Sequence, residues 1–527
     1  MSRDESMNAN DSAWPCGAAL PALSCGWCWT TLDTVAEIEG GITKDQKRPR
    51  SPGMRDVPYL RVANVQRGFL DLAEMKTILA DEDEISSLRL QPGDILFTEG
   101  GDRDKLGRGW VWNGEIDECI HQNHIFRARP CRSMVDPKFI SYHGNHFGQQ
   151  WFVKTGKQTT NLASINKGVL RRFPVPIAPL LEQHRIVAKI EELFSDLDAG
   201  VAALERVKAK LKRYRAAVLK AAIEGKLTKE WRKKNRPKET GRQLLDRILQ
   251  ERRCKWEKEQ IAAYEKAGRK PPVGWKDKYK EPVGPVDVDL PILPDDWCWG
   301  TIGQCFRVCV GATPSRKESS YWNGSIPWAS SGEIQFCRIK ETKEHITELG
   351  LANSSTQVNP SGSVLIGMIG EGRTRGQVSI LDIDACNNQN CAAIWVSQTR
   401  MPSEFIYYWL WSQYEVTRGR GSGNNQPALN KARVEEIPVP LPPLSEQEQI
   451  ACEVDRRLSF VVQSESQVGA NLKRSARLRQ SILKRAFEGK LVPQDPNDEP
   501  AGVLLERIKA TKENGNPKTI KPARKTK

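Results

Sequence analysis

Four short stretches of this 527-residue chain combine the residue types that suit phosphate groups and nucleic-acid base edges. GGDRDKLGRG (100–109) and KTGKQTTN (154–161) lie in the first half, GEGRTRGQ (370–377) and RGRGSGNNQ (418–426) in the second. Glycine lets a backbone approach a ligand closely, Arg and Lys neutralise phosphates or pair with guanine, and Asn or Gln can bond adenine bidentately. Lys154, Lys157, Arg418 and Arg420 are therefore expected to position phosphates, and Gln158, Asn161, Asn424, Asn425 and Gln426 to reach base edges. Arg103, Arg108, Arg373 and Arg375 could do either, and Lys105 and Thr159 complete the set. Any one of these loops alone would read as a solvated surface turn; what raises them above that reading is their recurrence in two halves of one chain.

Chemistry of other kinds finds no constellation. The phosphate-loop pattern G-x-x-x-x-G-K-[ST] is missing, because Lys157, Lys226 and Lys490 follow glycine but precede Gln158, Leu227 and Leu491. No Asn-Pro-Pro-aromatic motif of an amino-methyltransferase occurs, Asn359-Pro360-Ser361 being nearest. Glu224-Gly225-Lys226 and Glu488-Gly489-Lys490 have the E-x-K spacing of magnesium nucleases, but both close a long helical pattern and read as helix ends. Cys25 and Cys28 form a C-x-x-C without a second pair, and Cys119, His121 and His124 read more readily as ordinary packing than as a zinc site. No catalytic residue, metal ligand or cofactor site is expected in this chain.

Composition is compatible with a nucleic-acid partner without proving one. Lys and Arg number 80 against 65 Asp and Glu, giving +15, part of which sits in the closing KTIKPARKTK. With 39% hydrophobic residues there is material for roughly three or four folded units. Thirteen scattered cysteines favour reduced thiols, and neither a long apolar run nor an export signal is seen, so a cytoplasmic protein without a membrane role is expected.

What must position the loops is a duplicated scaffold. Trp27-Cys28-Trp29 returns as Trp297-Cys298-Trp299, Gln122-Asn123 as Gln389-Asn390, and Phe139-Ile140 as Phe405-Ile406. FPVPIAPLLEQHRI (173–186) parallels IPVPLPPLSEQEQI (437–450), IEGKL parallels FEGKL, and Leu244-Leu245-Asp246-Arg247-Ile248 parallels Leu504-Leu505-Glu506-Arg507-Ile508. Each copy is a mixed α/β segment followed by a long helix. Apolar residues at Ile190, Leu193, Leu197, Val201, Leu204, Val207, Leu211, Tyr214, Val218 and Ala221 step by three and four, and Ile450, Val454, Leu458, Val461, Val468, Leu472, Ile482 and Ala486 form the second, less regular seam. Two such seams could pair with each other. Ser445 with Glu448 predicts a capping box, Leu181 a weaker start in the first copy, and Gly225 and Gly489 predict left-handed helix ends.

The ordered combination of PVP-[IL]-x-P-L-x-E-Q, a long helix and E-G-K-L, repeated after a linker, resembles the specificity subunit of type I restriction-modification systems. LFTEGGDRDKLGRGWVWNGEI with CIHQNHIFRARP is similar to a target-recognition domain of that family. The resemblance implies two mixed α/β target-recognition domains separated by two long helices forming an antiparallel coiled coil, with an internal pseudo-two-fold repeat. The expected limits are a flexible N-terminus (1–19), target-recognition domain 1 (20–180), a central helical region (181–267), a linker (268–289), target-recognition domain 2 (290–443), a C-terminal helical region (444–510) and a basic tail (511–527).

It further implies a non-catalytic subunit that reads a bipartite, asymmetric site in double-stranded DNA. Its partners would be two modification subunits, carrying S-adenosylmethionine, and two restriction subunits, using ATP and magnesium. The competing readings are a stand-alone bipartite DNA-binding regulator or architectural protein and, from the enzyme class, a diverged methyltransferase or nuclease.

Overall fold

The computed structural model describes residues 20–44, 49–101, 105–158, 163–286, 290–370, 373–419 and 429–514. Four helices organise them: α1 (Leu180–Ile223), α2 (Gly241–Lys266), α3 (Leu444–Phe487) and α4 (Ala501–Asn514). Two compact units result, one formed by 1–204 with 470–527 and the other by 205–469, so each contains a mixed α/β domain and half of each long helix. Among the described residues no helix is long and apolar enough to cross a membrane.

Charge distribution explains which halves meet. The first part of α1, to Leu204, carries five carboxylates and two Lys or Arg, whereas the remainder carries seven Lys or Arg and one Glu. In α3 the part before Ala470 again has five carboxylates and two Arg, and the rest has six Lys or Arg and no carboxylate. Antiparallel pairing sets acidic halves against basic ones. In the first unit Arg479 bonds Asp198 and lies over Phe194, while Leu483 and Ala486 pack with Ile186, Val187 and Ile190. In the second, Arg215 pairs with Glu465 at 2.5 Å, and Val218, Leu219 and Ala222 share a core with Ile450, Val454 and Leu458.

The predicted seams need adjustment. Val207 and Tyr214 are 43% and 42% exposed, and Leu219, Ala222 and Leu483 are buried in place of a strict heptad. Toward its end α1 packs its apolar face against both the partner helix and the α/β domain of the second unit, sharing one core with Ile302, Phe306 and Tyr408.

Both helix ends follow expectation: Gly225 and Gly489 have φ of 62° and 65°. Lys226 N donates to Ala221 O at 2.9 Å and Lys490 N to Arg485 O at 2.8 Å, the closing bonds of a Schellman turn. The helix starts differ from expectation. Ser445 lies inside the first turn of α3 instead of capping it, because the helix already begins at Leu444. The shared fixture is the glutamine: Gln183 donates to Ala178 O and Gln447 to Pro442 O, each at 2.8 Å.

The repeated motifs clasp each domain shut. Cys28–Thr31 pairs antiparallel with Pro174–Ile177, and Cys298–Thr301 with Pro438–Leu441, joining the W-C-W and PVP segments of each copy. The indole of Trp27 donates to Glu182 and that of Trp297 to Glu446, both at 3.0 Å, which ties the clasp to the first turn of the following helix. The Leu-Leu-x-x-Ile segments seat α2 and α4 on their domains: Leu244, Leu245 and Ile248 in one core, Leu504, Leu505 and Ile508 in the other.

Within the first unit β1 (Ala36–Gly40), β2 (Ile95–Thr98) and β3 (Ile125–Pro130) form an antiparallel sheet with β3 central. Within the second, β4 (Val308–Val310), β5 (Arg338–Ile339), β6 (Val364–Gly367), β7 (Val378–Leu381) and β8 (Cys391–Ile394) lie in the order β4-β8-β6-β7-β5. The stretch expected as an open linker is tied down where it is described: Trp275 stacks on Trp256, and Thr301 Oγ1 donates to Val283 O at 2.9 Å.

Candidate nucleic-acid interface

In the first unit, loop 100–109 leaves β2 and is drawn back onto it. Thr98 Oγ1 donates to Lys105 O at 2.8 Å, and Gly107 N donates to Thr98 O at 3.1 Å. Gly107 has φ of 60°, and a Cβ there would stand 2.1 Å from the Phe152 ring, so no other residue fits without displacing the core. Asn145 holds the far end, accepting from Gly109 N at 3.2 Å and donating to Gly109 O at 2.7 Å.

The second candidate loop of that unit follows the helix Gly148–Thr155, where Lys154 is exposed. Lys157 and Gln158 pair with Ser164 and Ala163, and those residues pair in turn with Gly100 and Gly101. A small three-strand ribbon therefore places the two cationic segments on either side of Ala163–Ser164, although about fifty residues separate them. Arg108 is partly engaged within the protein, donating to Val62 O at 3.2 Å. Arg103, Thr159 and Asn161 lie outside the described residues, and for Lys157 and Gln158 the strand pairing is what is described.

The second unit brings its two segments together by side chains. The Arg375 guanidinium donates to Arg418 O at 2.9 Å, the Tyr414 hydroxyl donates to Arg373 O at 2.7 Å, and the Arg418 guanidinium lies over the Tyr414 ring. Tyr414 rests edge-on against Phe336, which stacks on Trp411 at 4.9 Å. Arg373 is exposed, whereas Arg375 and Arg418 are half-buried. Arg420, Asn424, Asn425 and Gln426 lie outside the described residues.

The sequence reading missed the fixing residues Asn145, Tyr414 and Trp411. Aligned on Phe139-Ile140 and Phe405-Ile406, Asn145 and Trp411 are equivalent positions: Asn145 holds the first loop by two hydrogen bonds, whereas Trp411 stacks on Phe336, against which Tyr414, the residue that bonds Arg373 O, also rests. A change of residue type at one structural position leaves no repeat signal to find.

Of the residues weighed for zinc, His121 is buried and its imidazole is pushed down to about 4, chiefly by burial and then by Arg127. His124 bonds Glu99 at 2.5 Å on the surface. Among the described residues no group of three or more His, Cys, Asp or Glu is placed to hold a metal.

Residues 294–465 match the family model for the type I restriction modification DNA specificity domain. The chain is 23% identical over 505 residues to the type I restriction enzyme EcoBI specificity subunit of Escherichia coli, covering 93% of each chain. Residues 294–465 thus carry a type I restriction-modification DNA specificity domain, and over most of its length the chain is similar to specificity subunits of type I restriction enzymes. A second relative of the family, the putative MjaX specificity subunit of Methanocaldococcus jannaschii, is 22% identical over 423 residues, 80% of this chain and 83% of its own. The EcoDI specificity subunit of Escherichia coli is 25% identical over 356 residues, 66% of this chain and 70% of its own. A chain from a solved structure of complex assembly and conformational transition of the type I R-M system shares the fold, with a TM-score of 0.59 at 19% identity over 90% of this chain and 100% of that one. The matched segment 294–465 spans the second loop-bearing domain and the first part of α3.

Proposed function

We propose that this chain is the non-catalytic, DNA-reading subunit of a type I restriction-modification complex, with one target-recognition domain for each half of a bipartite, asymmetric site. The observation that carries the reading is the paired assembly of cationic loops: in both units two distant loop segments are brought together on the same kind of scaffold. Their residues differ between copies, so two different half-sequences are expected. Exposed cations such as Lys154 and Arg373 would position phosphates, while Gln158, Asn161, Asn424, Asn425 and Gln426 would select bases.

Two modification subunits, supplying S-adenosylmethionine and the methyl-transfer chemistry on adenine, and two restriction subunits, supplying ATP- and magnesium-dependent translocation and cleavage, would complete the complex in the cytoplasm. The exposed sides of α1 and α3 offer the docking surface for the modification subunits. The test is methylome sequencing of a host carrying the complete system with either the native chain or a Gln158→Ala, Asn161→Ala variant. Only the half-site read by the first domain is expected to change; a change confined to the other half would overturn the assignment.

A further inference from the structure

A cleft of about 680 Å³ separates α2 from the α/β domain of the second unit, and none of the candidate loop residues lines it. One wall is α2, with Arg252 and Lys255; the other carries Arg307, Trp395 and Arg400. With Arg247 the lining holds five Lys or Arg against two carboxylates, Glu251 and Glu259. Glu251 is already bonded by Arg247 at 3.1 Å, and Arg247 also binds Glu239 through two nitrogens, at 2.8 and 3.0 Å. Arg252, Lys255 and Arg400 make no ion pair among the described residues. Arg307, which lines the cleft, is stacked 4.5 Å over the Trp395 ring and bonds Gln357, and these contacts fix its plane.

The first unit supplies an internal control. Ile38 pairs with Ala128 there as Val308 pairs with Ile394 here, so Glu37 stands where Arg307 does and Arg129 where Trp395 does. Arg129 is held by Asp94 at 2.7 and 2.8 Å, Met134 stands for Arg400, and Lys512, standing for Arg252, bonds the carbonyls of Asp33 and Ala36. At the corresponding place Arg129 and Lys512 of the first unit are engaged internally, whereas Arg252, Lys255 and Arg400 of the second have no carboxylate partner among the described residues. Leaving several like charges unpaired around one concavity costs stability, and an anionic ligand would offset that cost.

We propose that this cleft is a binding site for phosphate groups, distinct from the recognition loops. Arg307, Trp395 and Arg400 stand at the Val364 end of β6, whereas Arg373 and Arg375 follow its Gly367 end, about 10 Å away along the strand. Guanidinium forks on one wall and an ammonium opposite suit successive phosphates, which come either from the DNA backbone beyond the second half-site or from a free nucleoside polyphosphate.

The experiment uses the full chain in complex with its modification subunits and compares the native protein with a Lys255→Glu, Arg400→Glu variant. Its probes are inorganic tripolyphosphate, ATP, and a duplex either trimmed to the site or extended past the second half-site. A DNA-backbone site predicts that the variant loses about two units of the slope of log K against log salt on the extended duplex alone, roughly a tenfold change between 50 and 200 mM salt. A free-polyphosphate site predicts saturable binding of ATP or tripolyphosphate that the variant loses while its DNA slope stays unchanged. Lys255→Arg with Arg400→Lys retains the native behaviour in either case. The inference is overturned if neither binding nor slope changes, or if the methylated sequence itself changes. An unchanged methylation pattern with altered phosphate binding leaves the DNA-reading role intact, so the two readings fail separately.

Discussion

One substitution, made at the equivalent position of each copy, separates motif from mechanism. Glu446 is almost fully buried and accepts from Arg232 at 2.7, 2.9 and 3.2 Å, from Thr228 at 2.6 Å and from Trp297 at 3.0 Å. Glu446→Gln keeps the shape but removes the charge that offsets Arg232, and breaking a buried ion pair from one side costs about 3–5 kcal/mol. Glu182 has the same place and the same bond to Trp27, but Arg185, whose field reaches it, is held by Asp498 at 2.6 Å. Burial pushes its carboxyl up from the usual range, more than the Trp27 bond draws it down. Ionised Glu182 is thus disfavoured by folding: its contribution is favourable at low pH and lost as pH rises through the raised value. At neutral pH Glu182→Gln is expected to change stability by less than about 1 kcal/mol, in the stabilising direction. Denaturant-dependent hydrogen exchange, read peptide by peptide, follows 1–204 with 470–527 separately from 205–469. Equal losses in the two variants, or a larger loss for Glu182→Gln, would refute the reasoning.

The histidines give a second asymmetry. His121 and His143, both in the first unit, are pushed by burial from 6.5 to about 4 and about 3. The unfolded chain takes up protons that the fold excludes, so their stability contribution is complete above pH 6.5 and is lost as pH falls toward those values, each by about 2 kcal/mol at pH 5. Hydrogen exchange at pH 7 and pH 5 should therefore show the first unit weakening more than the second, and His121→Asn should reduce the difference. Asn145→Ala removes both bonds to Gly109, about 1 kcal/mol each, and should raise exchange at 105–109 and weaken reading of the first half-site only. Arg373→Ala should lower the slope of log K against log salt by about one unit without changing the methylated sequence, as a phosphate contact requires. A changed sequence in the methylome would instead make Arg373 a base contact.

Much of the architecture was legible because repetition removes coincidence. W-C-W, PVP, E-Q and E-G-K-L are weak motifs singly, and the structure shows why they travel together: the first two pair as strands, the glutamate receives the tryptophan, and the glycine ends the helix. The seam through Val207 and Tyr214 was misread because a three-four spacing records that a helix has an apolar face and not which neighbour covers it. The fixing residues of the loops were invisible for another reason. At one equivalent position Asn145 bonds Gly109, 36 residues away, while Trp411 stacks on Phe336 and leaves the loop contact to Tyr414.

The sequence repeat and the folded unit are not the same object, and the difference bears on how specificity can vary. Each repeat runs from α/β domain to helix, but each compact unit takes half of both long helices, so the first domain is completed by residues of the second copy. Ser24 donates to Glu488 O at 2.8 Å, Arg185 binds Asp498, and α4 fills the core beside Leu32 and Val35. The second domain is completed the same way by Arg232, Leu244 and Leu245 from the first copy. What each domain presents to these completing segments is the W-C-W and PVP clasp with the Glu-Gln turn, nearly the same in both copies. The loops that differ stand elsewhere, on the 100–109 and 370–377 turns and their partner segments. A change in these loops therefore leaves the clasp, the helix start and the charge-matched helix halves untouched. Fixed clasp chemistry and variable loop chemistry are what a specificity subunit needs if new half-sites are to arise without loss of assembly.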